Sequence, residues 1–404
     1  MKLLHTSDWH LGKQLEGYSR LEEQKIIMDE LVSIADEENI DMVLVSGDIY
    51  DTFNPPAEAE KLFYETLHRL ASGGERIVCL ISGNHDSPNR LEAPRPISYE
   101  QGIIIMDRPS FNISPGEAGQ HKIIESSPGC LKFDLEDEKV VLLGLPYPSE
   151  SRLNTALGEI RDEKDHQERY SQKVGELFSE LEKNYQKNTI NISMSHLFVA
   201  GGEESESERP IQVGGGMAVN KEHLPDNSQY TALGHLHRSQ KISSEKNAYY
   251  AGSPLQYSAS ERNQAKSVNI VELSSDSSAE IEKVNLKNPR PIEEWRAESL
   301  EEARQILKEN AERDVWAYLK IESSETLLQS EIKELKNIKE DLLSIIPLTP
   351  EEFKREKREE MEQTLDIEEL FKEFYRHSRE AEPDEEIMDM FLDIVEGEEE
   401  NYEA

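Results

Sequence analysis

The sequence predicts a layered α/β fold, a sandwich of two packed sheets with helices outside, followed by a small α/β cap and C-terminal helices. Three observations predict it. Over the first 200 residues, short apolar runs alternate with helical patterns, the mark of strand–helix units stacked in layers. Between residues 230 and 284 the pattern becomes mainly β, which predicts a second sheet packed on the first. The chain's 404 residues suit two or three domains rather than one.

In chain order, residues 2–5, 42–46, 77–82, 102–106, 139–144 and 190–195 read as strands. Residues 20–38, 57–70 and 167–188 read as the helices between them. Four further strands are expected at 230–233, 248–251, 268–273 and 280–284, separated by turn residues. Two prolines in Lys287-Asn288-Pro289-Arg290-Pro291 interrupt regular structure and mark a linker. Beyond it come a helix at 300–312, a strand at 315–322, a helical stretch near 327–336 and a strand at 342–348. The chain thus divides into a main domain at 1–285, a cap at 286–348 and an acidic tail at 349–404.

Thr349-Pro350-Glu351-Glu352 opens the tail as a capping box with proline at the first helical position. Ile367, Leu370, Phe371 and Phe374 then form one apolar stripe on a charged helix. After a break at 378–382, Pro383, Asp384, Glu385 and Glu386 open a second helix, which Gly397 can end. Its stripe of Ile387, Phe391, Ile394 and Val395 is widened by Met388, Met390 and Leu392. Such a surface either folds back on the cap or meets a partner's helix, and its breadth favours the partner.

Hydrophobic residues make up 36% of the chain and charged residues 32%, enough apolar sequence for a core. The net charge is −38, and residues 349–404 hold 22 acidic against 7 basic side chains. Charge alone therefore does not suggest a nucleic-acid binder. Cys79 and Cys130 are too few for a disulfide framework or a cysteine-based zinc site, and they predict a reducing, cytoplasmic setting. No apolar run approaches 18 residues and no secretory n-region opens the chain, so neither a membrane span nor export is expected.

Five short motifs share one plan, an apolar strand ending in polar ligand-type residues. They are Asp8-Trp9-His10, Gly47-Asp48-Ile49-Tyr50-Asp51, Gly83-Asn84-His85-Asp86, Ser195-His196 and Gly234-His235-Leu236-His237. Strand ends are where open α/β sheets gather their sites. Alone, each motif would more often be a surface pair or a hydrogen-bonded polar residue. Together they hold five of the eleven histidines. In the two i, i+2 pairs, both side chains share one side if the strand continues. Glycine before the ligand residue permits a sharp turn and close approach. Two divalent ions about 3.5–4 Å apart can clamp a phosphate. Such a pair needs a bridging carboxylate, for which Asp48 is the natural choice. Imidazole, carboxylate and amide donors without thiolate favour manganese, with iron or zinc as alternatives.

These motifs resemble those of the calcineurin-like metallophosphoesterases. The wider context resembles the SbcD family of bacterial nuclease subunits, through residues 1–12, Gly83-Asn84-His85-Asp86-Ser87, residues 230–237 and Tyr250-Ala251-Gly252-Ser253-Pro254. The resemblance implies one metal on Asp8, His10, Asp48 and His237, and a second on Asp48, Asn84, His196 and His235. It implies that His85 acts on the scissile phosphate or protonates the leaving oxygen. Asp51 is then expected to accept a hydrogen bond from His85 and fix its tautomer. It further implies a manganese-type DNA exonuclease and hairpin endonuclease of repair, recombination and replication. That enzyme would work as a homodimer within a heterotetramer with the ATPase SbcC, whose coiled-coil base would take the tail.

Other features have plainer readings. Gly214-Gly215-Gly216 lacks the Gly-Lys-Ser/Thr of a phosphate loop and reads as a flexible segment. No Walker-type motif occurs, so any ATP dependence must come from a partner. Lys13, Arg20, Arg90 and Arg95 flank the motifs as phosphate contacts or simply as solvated charges. Trp9 serves packing as readily as DNA contact. The competing function is a stand-alone phosphoesterase on a small phosphorylated substrate, because the metal cradle does not fix the substrate.

Overall fold

A computed structural model describes residues 1–135, 138–153, 163–208, 217–324, 326–364, 371–372, 375 and 388. They fall into two units, one of residues 1–293 with 314–316 and one of 294–313 with 317–404.

In the first unit, a six-stranded sheet runs in the order Glu280–Asn285, Ser267–Glu272, Lys2–Thr6, Met42–Val45, Ile77–Ile81, Ile103–Met106. Its last four strands are parallel. A second, eight-stranded sheet runs Gln240–Lys241, Ala248–Tyr250, Tyr230–Gly234, Ile190–His196, Glu138–Leu145, Cys130–Leu135, His121–Ser127, Gly116–Ala118.

Strand periodicity sorts the side chains into layers. Leu3, Met42, Leu44, Ile77, Cys79 and Ile81 face Phe133, Leu142, Ile192 and Met194 of the other sheet. Their neighbours Leu4, Val43, Val45, Val78 and Leu80 pack against Ile27, Leu31 and Phe63 of helices Leu21–Glu37 and Ala57–Leu70. Outside the second sheet, Leu233 and Tyr250 meet Tyr170, Val174 and Phe178 of helix Glu163–Leu181. Both cysteines are buried and free.

Two features differ from the sequence-based expectation. The β-rich stretch does not form a sheet of its own. Ser267–Glu272 pairs antiparallel with Lys2–Thr6 and so completes the first sheet, whereas Tyr230–Gly234 joins the second. The strands Gly116–Ala118, His121–Ser127 and Cys130–Leu135 have no counterpart in that expectation. His121–Ser127 is an exposed polar strand near the sheet edge, carries little apolar alternation, and owes its conformation to its neighbours.

The second unit contains strands Trp316–Glu322 and Leu342–Leu348, paired in parallel, and helices Leu300–Glu309 and Gln329–Ile338. Its core is Ala303, Leu307, Leu319, Ile321, Leu335 and Leu342. Strand Ile292–Ala297, which follows the two prolines directly and has no counterpart among the expected strands, edges the same sheet. The expected capping box forms: Thr349 N donates to Glu352 Oε2 at 2.9 Å, and Glu352 N to Thr349 Oγ1 at 3.3 Å. Helix Pro350–Thr364 follows, with Phe353 buried and Glu356 2.5 Å from Lys320. Of the tail stripes, Phe371 and Met388 are described, and the other stripe residues lie outside the described residues, as does the triple glycine. No helix among the described residues is long and apolar enough to cross a membrane.

Candidate metal centre

The five motifs sit where parallel strands end. Lys2–Thr6 leads to Asp8 and His10, Met42–Val45 to Asp48, Ile77–Ile81 to Asn84 and His85, Ile190–His196 ends on His196, and Tyr230–Gly234 leads to His235 and His237. Because these strands are parallel within each sheet, their ends collect at one edge of the sandwich. The backbone there is unusual. Asp8, His10, Asp48 and His235 take positive φ values of 53°, 44°, 49° and 112°, a region L-residues adopt at a cost that functional sites carry.

The period-two expectation therefore fails, because both strands stop before their pairs. Asp8 and His10 are still brought together, but by left-handed turns rather than by strand pleat. His235 and His237 part company. One lies with Asp48 and His196, the other with Asp8 and His10. The glycines have a clear cause. A Cβ on Gly83 would lie 2.0 Å from Asp48 Oδ1, one on Gly47 2.5 Å from His196 Nδ1, and one on Gly234 1.9 Å from Ser46 O. The space a side chain would take is already filled by the site.

Asp8, His10 and His237 form one group that could hold a metal ion, and Asp48, His196 and His235 another. Asp48 stands between them: Oδ2 is 3.6 Å from His10 Nε2, and Oδ1 is 3.5 Å from His196 Nε2. Asn84 Oδ1 lies 2.8 Å from His196 Nε2 and 3.0 Å from His235 Nδ1. Asp8 also accepts from the His235 backbone N–H at 3.1 Å and from Ser7 Oγ at 2.6 Å. All of these except Asn84 are buried.

The charge states suit a cation. Burial pushes Asp8 up to about 8 and His10 down to about 3, and it lowers His196 and His235 as well. Burial would also raise Asp48, but the imidazoles of His196, His85 and His10 hold it below the usual carboxylate range.

The hydrogen bonds around the imidazoles test whether these residues fit a metal. Glu261 can only accept, so the single hydroxyl hydrogen of Ser207 goes to its Oε1 at 2.5 Å. Ser207 Oγ must then accept from His237 Nδ1, also at 2.5 Å. His237 Nε2 is left with a lone pair, 3.0 Å from His10 Nε2. The buried His10 Nδ1 has no hydrogen-bond partner. His196 Nδ1 donates to Ser46 O at 2.8 Å, which likewise turns its Nε2 lone pair inward. Converging lone pairs on borderline and hard donors, with carboxylates between them, are what a divalent ion requires. The residues fit.

His85 differs from expectation in one atom. Its Nδ1 donates to the backbone carbonyl of Asp51 at 2.6 Å, not to the carboxylate. The carboxylate instead takes Lys13 Nζ at 2.9 Å and faces His10 Nδ1 at 3.6 Å. The turn after Asp48 points the Asp51 carbonyl at His85 and its side chain away. Of the other flanking cations, Arg20 is fully buried against Glu23 and Gln256 O, Arg90 pairs with Glu60, and Arg95 with Glu92 and Asp107. Trp9 is buried against Phe63 and donates to Thr6 Oγ1 at 3.0 Å, a packing residue.

Three supports have no counterpart among the residues expected from sequence. Ser207 and Glu261, with Lys266 paired to Glu261, stand behind His237. Asp86 accepts from the backbone N–H groups of Gly83, Ile49 and Tyr50 at 2.8, 3.1 and 3.0 Å, tying two motif loops together. Arg152 bonds Gly83 O at 2.9 Å and Asp86 O at 3.0 Å, bracing the turn that carries His85. Asp86 stands in one of the five motifs and so offers a signal; the others lie in loops without one.

The sequence profile of the calcineurin-like phosphoesterase family matches residues 1–239, and that of the type 5 capsule protein repressor C-terminal domain matches residues 288–379. The chain is 39% identical over 403 residues to the SbcD subunit of nuclease SbcCD from Bacillus subtilis (strain 168), covering 99% of each. It is 32% identical over 303 residues to the protein of the same name from Staphylococcus epidermidis, covering 72% of this chain and 71% of that one. Among solved structures, a dimetal phosphatase from Danio rerio aligns at 12% identity with a TM-score of 0.43, covering 71% of this chain and 97% of that one. With a profile match over more than half its length and a relative alike from end to end, the chain belongs to the calcineurin-like phosphoesterase family, among the SbcD nucleases.

Proposed function

We propose that this chain is a two-metal phosphodiesterase that cleaves DNA as the nuclease subunit of a complex with an SbcC-type ATPase. The observation that carries the reading is Asp48, whose two oxygens face histidines of two separate groups. Asp8, His10, Asp48 and His237 would hold one ion, and Asp48, Asn84, His196 and His235 the other, with manganese suited to the donor set. The ions would supply an activated water and charge stabilisation for the leaving oxygen. His85, held by the Asp51 carbonyl, presents Nε2 to the substrate side, where it contacts the phosphate or protonates the leaving oxygen. Identity with an SbcD nuclease along 99% of the chain supports the DNA substrate and the ATPase partner. Two copies would join two ATPase subunits, acting on double-strand ends and hairpins. The test is manganese-dependent degradation of linear and hairpin DNA, with and without the ATPase and ATP. A chain that cleaves a small phosphodiester but neither DNA would overturn the reading.

Ser207→Ala provides a sharper check on the ligand set. It leaves Glu261 paired with Lys266 but removes the oxygen that orders His237. Outer supports of this kind are worth about 10–100-fold in metal affinity. Manganese titration is expected to show one weakened site and one unchanged, with the melting temperature near wild type. Two unchanged sites would remove His237 from the ligand set or Ser207 from its support.

The main domain at 1–285 and cap at 286–348 would carry catalysis, and the tail would dock the partner. Because helix Pro350–Thr364 buries Phe353 within the second unit, the truncation that tests docking belongs after residue 364. That shortened chain is expected to keep its manganese sites and basal cleavage while losing co-elution with the ATPase on size exclusion. Undiminished complex formation would place docking elsewhere.

A further inference from the structure

A cavity of about 360 Å³, lined by Phe53, Ser87, Asn89, Arg108, Ser151 and Arg152 among others, has no part in the roles assigned so far. It adjoins the candidate centre through the chain itself. Ser87 follows His85 and Asp86, and Phe53 stands two residues beyond Asp51, whose carbonyl holds His85.

Three features of its lining point to one kind of occupant. The first is a cation. Every hydrogen bond Arg152 makes goes to a neutral oxygen: Ser82 Oγ at 3.0 Å, Gly83 O at 2.9 Å and Asp86 O at 3.0 Å. Its guanidinium is fixed in place, half-buried, and available to an anion. The second is an aromatic face. Phe53 is 46% exposed, whereas Phe63, Phe111, Phe133 and Phe178 of the same unit are buried. The third is a polar edge. Asn89 spends its carbonyl oxygen on Arg108 Nη2 at 2.8 Å, so its amide hydrogens remain as donors beside the hydroxyls of Ser87 and Ser151. Arg108 is itself held by Asp107 and Glu92, so this wall is rigid. A fixed cation, a free ring and an edge of donors together match a phosphate, a base face and a base edge. The volume suits one small ligand and no duplex.

Resting on the DNA-nuclease reading, we propose that this cavity receives one unpaired nucleotide of the strand next to the scissile phosphate. The base stacks on Phe53, its phosphate meets Arg152, and Asn89 with the serines meets its edge. The enzyme then favours strands that can present an unstacked base, such as frayed ends and hairpin loops, over a closed blunt duplex.

The test measures binding in a His85→Ala background, with the ATPase partner present, so that cleavage does not intrude. Two DNAs are compared, a blunt duplex and the same duplex with a short single-stranded extension carrying 2-aminopurine. The expected result is quenching of the extension's fluorescence on binding. With Phe53→Ala the quench disappears, and affinity for the extended DNA falls about 5- to 100-fold further than for the blunt one, the worth of one base stacked on an aromatic ring. Phe53→Trp restores both. Equal losses on the two DNAs, or an unchanged quench in Phe53→Ala, would overturn the nucleotide site while leaving the DNA reading intact. Failure of the Phe53-containing protein to bind either DNA would overturn both.

Discussion

Asp48→Asn is expected to abolish both manganese sites and to lower DNA cleavage at least about 10³-fold. The substitution is chosen because it removes charge and almost nothing else. Asp48 has φ 49°, and asparagine is among the few residues that accept this left-handed conformation. The Asn side chain can still accept the His85 backbone N–H that Asp48 Oδ1 takes at 2.8 Å. The turn should therefore survive, which circular dichroism and melting temperature would verify. What disappears is the negative charge that faces His10 on one side and His196 on the other. An ion in either group would then sit among neutral imidazoles, with Asp8 as the only remaining carboxylate and that on one side alone. Several kcal/mol of charge stabilisation go with each ion, and each 1.36 kcal/mol is tenfold in rate. Asn84→Ala, which touches only the second group, should cost less on both counts. Isothermal titration with manganese reads the outcome directly. Two intact sites in Asp48→Asn would show that Asp48 bridges nothing.

How legible the site was depends on what kind of information each residue carries. Asp8, His10, Asp48, Asn84, His196, His235 and His237 are scattered over 230 positions, yet each follows a strand whose apolar run is plain in the sequence. Parallel strands then converge by topology. The layers were legible for the same reason, since the alternation of Leu3 with Leu4, or Leu44 with Val45, already separates two cores. The relay of Ser207, Glu261 and Lys266 was not legible, because it joins two loops 54 residues apart with no period to reveal it. Arg152 was equally hidden, since its partners are backbone carbonyls, which every residue has. Asp51 shows the limit most clearly. Sequence logic assigns a partner to the side chain, yet the atom that holds His85 is a carbonyl aimed by a local turn. Which strands belong to which sheet was hidden too, because Ser267–Glu272 reads like any other strand until Lys2–Thr6 supplies the edge it completes.

His85→Ala separates catalysis from metal binding. His85 is buried, its Nδ1 hydrogen is committed to the Asp51 carbonyl at 2.6 Å, and its Nε2 stands 3.8 Å from Asp48 Oδ2. Two roles compete at that distance. His10, Asp51 and His85 themselves form a third group whose atoms lie close enough to hold an ion, so a ligand role has a geometric basis. The acid–base role predicts a different signature. Manganese stoichiometry and affinity in His85→Ala should stay near wild type, because the two main groups keep every donor. Turnover should fall by about 10²–10⁴, the usual worth of one positioned proton donor. Asp51→Asn supplies the internal comparison. The backbone carbonyl survives that change, so His85 keeps its orientation, and only the contact with Lys13 and His10 is altered. Cleavage should therefore fall much less in Asp51→Asn than in His85→Ala. If manganese is lost from His85→Ala in step with activity, His85 is a ligand and the proton donor must be sought in the substrate or solvent.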